Sequence, residues 1–483
     1  MNMIAKKFPN AALIDGEWVT SNKTFPVYDP ATGEEIASVP DLGAKDALRA
    51  IDAANSALPT WSTKTAKERA AILKRWFDLV TAETESLAQL MTTEQGKPLA
   101  ESRAEVAYGA SFIEWFAEEG KRAYGRTIPT TVASKRYITI KQPIGVVAAI
   151  TPWNFPIAMI TRKVAPALAA GCTIVVKPAA ETPLCALAVA KLGKDAGLPP
   201  GVLNIVTTKD APAVGKVFCE DPRVRKLSFT GSTEVGKILY RQCADTVKKL
   251  TLELGGNAPL VVFDDADLEQ AVAGAMASKY RNAGQTCVCA NRILVQSGIY
   301  DGFAAALVKA VNKLTVGPGL EPGTAIGPLI SSEAIAKVEA LVSDAVKKGA
   351  KVLTGGTLDN AGPLFYRPSV VGDVTADMSI VQEEIFGPVA ALVRFDTEAD
   401  AVKLANDTPF GLAAYLFSQN LGRAWRVAEK LDVGMVGVNE GIFSNEVVPF
   451  GGVKESGLGR EGGAEGLEEY LETKYICLGG IDA

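Results

Sequence analysis

The sequence predicts an α/β protein made of two successive α/β units with largely parallel sheets. Three observations carry this. From Ile144 onward, short apolar runs alternate with helical stretches, the pattern of strand–helix–strand units whose sheets are covered on both faces. A second series of the same kind starts near Gly255. The chain has 483 residues, 48% of them apolar and 22% charged, which is ample for two or three globular domains.

Taken in order, the start is short-stranded and the first third then becomes helical. Apolar residues recur at helical spacing over 44–59, 66–93 and 101–124. RYITIK (136–141) alternates like an exposed strand. GVVAAI (145–150) reads as a buried strand before a helix over 157–169. TIVVKP (173–178) precedes a helix over 183–196, LNIV (203–206) another, and KLSFTG (226–231) one from Thr233. Open sheets of this type take ligands at the carboxyl ends of their strands. In the second unit APLVVF (258–263) is a strand and 268–280 a helix. NRILVQ, KVLTGG, VAALVRF, AAYLFS and MVGVN are further strands, and KYICLG (474–479) is an edge or exchanged strand. No internal repeat, low-complexity tract or charged tail interrupts the pattern.

Composition excludes several functions. Fifty basic against 55 acidic residues leave −5, so no bulk charge attracts nucleic acid or an anionic membrane. There is no histidine, which removes Ser-His-Asp triads, Cys-His dyads and every histidine-containing metal site. Acid–base work falls to carboxylate, lysine, tyrosine or cysteine. The seven cysteines form no C-x-x-C pair and no even framework, so neither a metal cluster nor a disulfide scaffold is expected. The N-terminus has no signal-peptide core, and thiols in a reducing cytoplasm are the expectation. Residues 142–161 form an uncharged run of 20, long enough to span a bilayer. Pro143, Pro152 and Pro156 would break the backbone ladder that lipid requires, so the run reads as strand, loop and helix.

The candidate chemistry sits at strand ends. Cys172 lies in an apolar run, Cys185, Cys219 and Cys243 in helices, and Cys477 in the terminal strand. Cys287 differs: RNAGQTCVCAN is small, polar and glycine-containing, a setting compatible with exposure and a helix terminus, which would make the thiol acidic. Glu253 ends an apolar strand before two glycines; burial there would raise its pKa toward general-base range, although a salt bridge fits equally well. Glu384, in EEIFGP, is less telling alone. KLSFTGSTEVGK (226–237) offers backbone N–H groups at a helix start, suited to a phosphate, although a simple helix cap is a fair alternative. Asn154, in TPWNFP, could donate to an oxyanion, and Lys177 could reach a ribose hydroxyl or phosphate.

Each signal is modest singly, but their order is specific. TPWNFP, VVKP, FTGSTEVG, LELGG, GQTC and EEIFGPV follow one another, and here the chain resembles the aldehyde dehydrogenase superfamily nearly end to end. AMITRK, RNAGQTCVCAN and NEGIFSNEVVPFGGVKESGLGREG are similar to the succinate-semialdehyde dehydrogenases within it. The resemblance implies a Rossmann-like cofactor domain over 1–125 and 144–254. It implies a second α/β catalytic domain over 255–453 and a small β oligomerisation element from 126–143 and 464–483, the protein being a homodimer or homotetramer. By position Cys287 would be the nucleophile and Glu253 the base. Asn154 and the Cys287 backbone N–H would form the oxyanion hole, with Lys163 near the reacting thiol. Thr151, Pro152, Trp153, Lys177, Ala180, Gly231, Ser232, Glu384 and Phe386 would hold NADP or NAD. Arg162, Arg281 and Ser444 would hold the carboxylate of a small anionic aldehyde. No metal is required.

The implied reaction fits the residues. A thiolate attacks an aldehyde, hydride leaves to the cofactor, and water activated by Glu253 hydrolyses the thioester, so no histidine is needed if the thiol is already acidic. Relatives that pass the acyl group to coenzyme A generally lack this glutamate, so hydrolysis to the free acid is expected. Succinate semialdehyde is the leading substrate; glutarate semialdehyde or a sulfonated aldehyde would use the same arginines. A non-catalytic member of the fold and a cofactor-free thiol hydrolase are the readings from other classes. Two positions depart from the family's pattern. Thr207 and Thr208 stand where a glycine is frequent, and Ala180 stands where NAD-specific members often carry an acid, so NADP is expected to be preferred. Cys289 is either a redox partner of Cys287, as the resemblance to the semialdehyde dehydrogenases implies, or simply a small packed residue; in an extended CVC segment the two would lie about 7 Å apart at Cα, slightly beyond the usual disulfide range.

Overall fold

The computed structural model describes residues 7–481. Its first sheet has eight strands. Five form a parallel core in the order Leu203–Ile205, Thr173–Lys177, Val146–Ile150, Val224–Thr230 and Lys249–Glu253. Antiparallel strands close both edges: Ala12–Ile14 followed by Glu17–Val19 on one side, and Gly457–Leu458 on the other. Val146–Ile150 and Thr173–Lys177 are buried throughout, as strands covered on both faces must be. Val147, Ala149, Ile174 and Val176 face a core shared with helices Ala66–Ala82, Leu99–Glu119, Ala158–Ala170 and Pro183–Asp195. Val146, Ala148, Ile150 and Val175 face a smaller core under Ala44–Ser62, Ala211–Glu220 and Thr233–Cys243. The twofold alternation of the strand thus feeds two separate cores.

The second sheet has seven strands in the order Lys351–Thr354, Ser369–Val374, Val389–Phe395, Ala290–Gln296, Ala258–Val262, Ala413–Phe417 and Met435–Val438. All pair in parallel except the edge strand Lys351–Thr354. A third, largely exposed sheet pairs Leu471–Gly479 along its whole length with Lys135–Pro143, which also takes Arg126–Ile128. No helix among the described residues is long and apolar enough to cross a membrane; the uncharged run over 142–161 is a strand, a loop and the start of a helix.

The helical stretch expected over 66–93 is two helices, Ala66–Ala82 and Thr84–Gln95. The break is local: the Thr84 hydroxyl bonds back to the Thr81 carbonyl at 2.7 Å, and Glu83 leaves helical geometry. Helices Tyr300–Val311, Ser332–Lys347, Glu398–Asn406 and Leu421–Lys430, with strand Ser369–Val374, lie beyond the sequence reading. Three of these helices carry legible start signals. Ser331 accepts from the Ala334 N–H, Asn420 accepts from the Arg423 N–H, and Thr397 forms a capping box with Asp400.

Candidate active site

The carboxyl ends of the first sheet face the turn that precedes strand Ala290–Gln296, and a cleft of about 910 Å3 opens between them. It is lined by Trp153 and Asn154 after one strand, Gly231 and Ser232 after the next, and Glu253 at the end of a third. Cys287, Glu384 and Phe386 come from the second unit. Through Pro152, Trp153, Gly231 and Ser232 it runs into a second cleft of about 1240 Å3 lined by Thr151, Lys177, Ala180, Glu181 and Thr208. All nine residues expected to hold a cofactor line one cleft or the other. Trp153 and Phe386 meet edge-on, 5.6 Å between ring centres, where the clefts join.

Cys287 occupies a tightly braced turn. Asn282 donates from Nδ2 to the Asn154 carbonyl (3.0 Å) and the Gln285 carbonyl (3.2 Å), and Asn154 Nδ2 donates to the same Gln285 oxygen (3.1 Å). Asn154 is thereby fixed beside the turn, with its own Oδ1 buried and unpartnered. Gly256 is required by close approach: a Cβ there would lie 2.5 Å from the Cys287 carbonyl.

The thiol is not acidic, contrary to the sequence expectation. Burial, then the nearby Glu384 and Glu253 carboxyls, push it up to about 12, and Arg162 and Arg281 offset this only in part. The polar segment folds inward instead of lying exposed, and only the short turn Arg281–Gly284 precedes it, too short to supply a helix dipole. Nor is CVC extended. The Cys289 N–H donates to the Thr286 carbonyl at 3.0 Å and closes a turn, and Cys289 Sγ is buried against the Lys279 carbonyl at 3.4 Å. Cys287 faces the cleft, whereas Cys289 lies behind it.

Glu253 has both carboxylate oxygens buried without a partner. Burial first, and Glu461 second, hold its pKa well above the usual range. It is therefore the site's unpaired acid, not one arm of a salt bridge. The second cleft also accounts for the missing glycine. Thr207 Oγ1 donates to the Pro40 carbonyl at 2.7 Å and the Lys209 N–H to Asp41 at 2.9 Å. Neither threonine is among the positive-φ residues, so no glycine is needed.

The aldehyde dehydrogenase family model matches residues 18–476. The chain belongs to the aldehyde dehydrogenase family. It is 59% identical to the succinate-semialdehyde dehydrogenase (NADP(+)) of Escherichia coli over 98% of each chain. It is 57% identical to a glutarate-semialdehyde dehydrogenase of Pseudomonas aeruginosa over 99% of each. A crystal structure of succinate-semialdehyde dehydrogenase from Burkholderia pseudomallei matches with a TM-score of 0.97 at 59% identity, covering 98% of both chains.

In this aldehyde dehydrogenase some expected residues stand elsewhere. Lys163 does not line the cleft. Its ammonium pairs with Glu461 and donates to Thr230 Oγ1 at 2.7 Å, at the end of the strand beside the one that carries Glu253. The reason is charge: on the fully buried helix Ala158–Ala170 a lysine must be paired, and Glu461 is the carboxylate in reach. Arg162 shares that partner, its Nε 2.9 Å from Glu461, with its guanidinium over Phe450 (4.2 Å) and Phe112 (5.1 Å). Arg162 Nη2 and Arg281 Nε remain buried and unpartnered. Ser444 lies half-buried in an irregular segment and does not line the cleft.

Two residues escaped the sequence reading. Glu461 pairs with both cations, and only its place in the glycine-rich GLGREGG hints at it. Asn291, just after the cysteine turn, brackets Glu384. Its Oδ1 accepts the Ile385 N–H (2.8 Å) and its Nδ2 donates to the Glu383 carbonyl (2.8 Å) and to Asn257 Oδ1 (2.7 Å). Glu384 in turn accepts the Gly256 N–H at 3.1 Å and is raised to about 7 by burial.

Proposed function

We propose that the enzyme oxidises an anionic aldehyde, succinate semialdehyde first, to the free acid with NADP or NAD. The carrying observation is one cleft that holds Cys287, Glu253 and Asn154; Arg162 and Arg281, which do not line it, each keep an unpartnered buried donor and act on the thiol through their charge. The joined clefts fit a dinucleotide: the Ser232-capped helix start suits a phosphate, and Lys177 has only the Pro178 carbonyl as partner. Bound there, such a cofactor supplies the hydride acceptor that turns the thiohemiacetal into a thioester.

The remaining steps belong to the chain. Cys287 Sγ attacks the aldehyde carbon and its proton passes to Glu253, whose raised pKa makes it a competent acceptor. Asn154 Nδ2 and the Cys287 N–H donate to the resulting oxyanion. Glu253, once it has released that first proton to solvent, takes a proton from water as the water attacks the thioester; the C–S bond breaks, the proton passes from Glu253 to the departing Cys287 sulfur, and the acid leaves. The arginines read the far charge, which glutarate semialdehyde and a sulfonated aldehyde also carry. The deciding experiment is a panel of anionic and neutral aldehydes with both cofactors, reporting kcat/KM; no preference for anionic aldehydes would overturn the assignment.

NADP is the preferred cofactor in this proposal. An acid at position 180 would oppose the 2′-phosphate, since like charges at 4 Å cost roughly 4 kcal/mol at an effective dielectric of 20. Ala180 imposes none of this, while the exposed Glu181 beside it leaves NAD usable. The domain roles follow the sheets: 1–125 with 144–254 for the cofactor, 255–453 for catalysis, and 126–143 with 464–483 for association into dimers or tetramers. A cytoplasmic setting rests on seven unpaired thiols. Redox pairing of Cys287 with Cys289 would require the Thr286–Cys289 turn to open. Peroxide would oxidise Cys287 to the sulfenic acid, and the Cys289 thiol would displace water from it. Equal recovery by a reducing thiol in Cys289→Ala and the parent would exclude the pairing.

A further inference from the structure

We propose that the Tyr108 hydroxyl is a third donor to the carboxylate end of the aldehyde, beside Arg162 and Arg281, and thereby sets substrate preference. This rests on the function proposed above. Tyr108 lies on helix Leu99–Glu119, which packs against the start of the Arg162 helix with little clearance: a Cβ on the adjacent Gly109 would lie 2.8 Å from Ile157 Cγ2. The Tyr108 ring meets Phe112 edge-on at 4.9 Å, and Phe112 carries the Arg162 guanidinium at 5.1 Å. Tyrosine and arginine therefore share one aromatic neighbour.

The hydroxyl is sealed from solvent and has no hydrogen-bond partner among the described residues, as is true of Arg162 Nη2 and Arg281 Nε. Both arginines act on its titration, with Cys287 and Glu461 opposing them, so the phenol sits in the field of the same guanidiniums and thiol. A buried donor left unmade forfeits its hydration for nothing, and phenylalanine would fill the same space without that loss. An unmade hydroxyl in the field of two guanidiniums that each keep an unmade donor is explained by an acceptor that arrives with the substrate. Burial keeps the phenol protonated, so it donates and brings no negative charge toward a carboxylate. The helix on which it lies, Leu99–Glu119, is separate in sequence from the motifs that carry the nucleophile and base.

The test is Tyr108→Phe in the full chain with NADP, assayed on succinate semialdehyde and on butanal, which has the same chain length without the charge. Loss of one hydrogen bond to a charged group should lower kcat/KM for the semialdehyde by about 10- to 100-fold, mainly through KM. It should weaken competitive inhibition by succinate similarly, change butanal less than about twofold, and leave the ligand-free Tm unchanged or raised. Equal losses on both aldehydes, or a lowered Tm, would make Tyr108 structural and overturn the proposal. A parent that prefers succinate semialdehyde, with a variant that behaves like it, overturns the tyrosine role alone. A parent with no preference overturns the anionic-substrate reading and this proposal with it.

Discussion

At the residue scale the site combines a thiol and a carboxyl, the proposed nucleophile Cys287 and the proposed base Glu253, that burial moves in the same direction. Cys287 is raised to about 12, so below that pH the thiol form dominates, and the thiolate fraction grows about tenfold per pH unit. Alkylation of the cofactor-free protein by iodoacetamide at Cys287 should therefore keep rising from pH 7 to pH 10. A plateau below pH 9 would restore the acidic thiol that the sequence suggests. Glu253→Gln keeps the shape of the side chain but loses the proton acceptor. If Glu253 acts mainly in deacylation, this variant releases reduced cofactor in a first turnover and then stalls, which rapid-mixing absorbance would detect; absence of any burst with unchanged thiol reactivity would exclude that division of labour. For the arginines, removal of a charge-assisted contact in a closed site costs roughly 2–4 kcal/mol. Arg281→Ala should lose about 10²-fold or more in kcat/KM on succinate semialdehyde and far less on a neutral aldehyde. Equal losses would make Arg281, which packs 5.5 Å from the Phe155 ring centre, a structural residue.

At the element scale the active site is where the carboxyl ends of the first sheet's strands meet the turn before strand Ala290–Gln296, and short polar bridges set the spacing. Asn291 bonds the residues on either side of Glu384, so it fixes a carboxyl of the cofactor cleft without lining that cleft itself. Asn291→Ala should raise KM for NADP by about tenfold, the cost of one to two buried hydrogen bonds, with a smaller change in the KM for aldehyde. Asn291→Asp keeps the Ile385 contact and should recover part of that loss. Equal changes in both constants would mean a general loosening of the second unit. The Gly255–Gly256 link shows how a short motif becomes legible: LELGG marks a strand that must end abruptly because the Cys287 carbonyl lies where a Cβ would otherwise stand. The distant partners of the same site left little trace. Glu461 and Asn282 lie inside segments the sequence singles out for other residues, and only the folded arrangement brings them to Arg162, Lys163 and Asn154.

At the scale of the whole molecule the exposed third sheet stands apart from the two cores. Leu471–Gly479 makes nine residue pairs with Lys135–Pro143, and most of its side chains face outward. A chain ending at residue 470 should keep both buried sheets but expose the backbone of Lys135–Pro143. Light scattering should show it as a smaller assembly than the parent or as an aggregate. An unchanged molar mass would remove this sheet from the subunit interface. The buried charges form a second device at this scale. Glu461, near the end of the chain, pairs with Arg162 and Lys163 on a helix of the first unit, so the closing segment locks the base of the active site.

By itself the sequence determined the α/β class, the parallel core strands and the order of the strand-end motifs, and it singled out Cys287, Glu253 and Asn154, which the fold brings to one cleft. These are local properties: apolar period, glycines at abrupt turns, and chemically distinctive side chains in short segments. Only the tertiary structure decided the electrostatics. Whether Cys287 is acidic, whether Lys163 faces the thiol or Glu461, and whether CVC is extended all depend on burial and on charges brought together across hundreds of residues. Desolvation is a property of the surroundings and is written in no single segment of the chain.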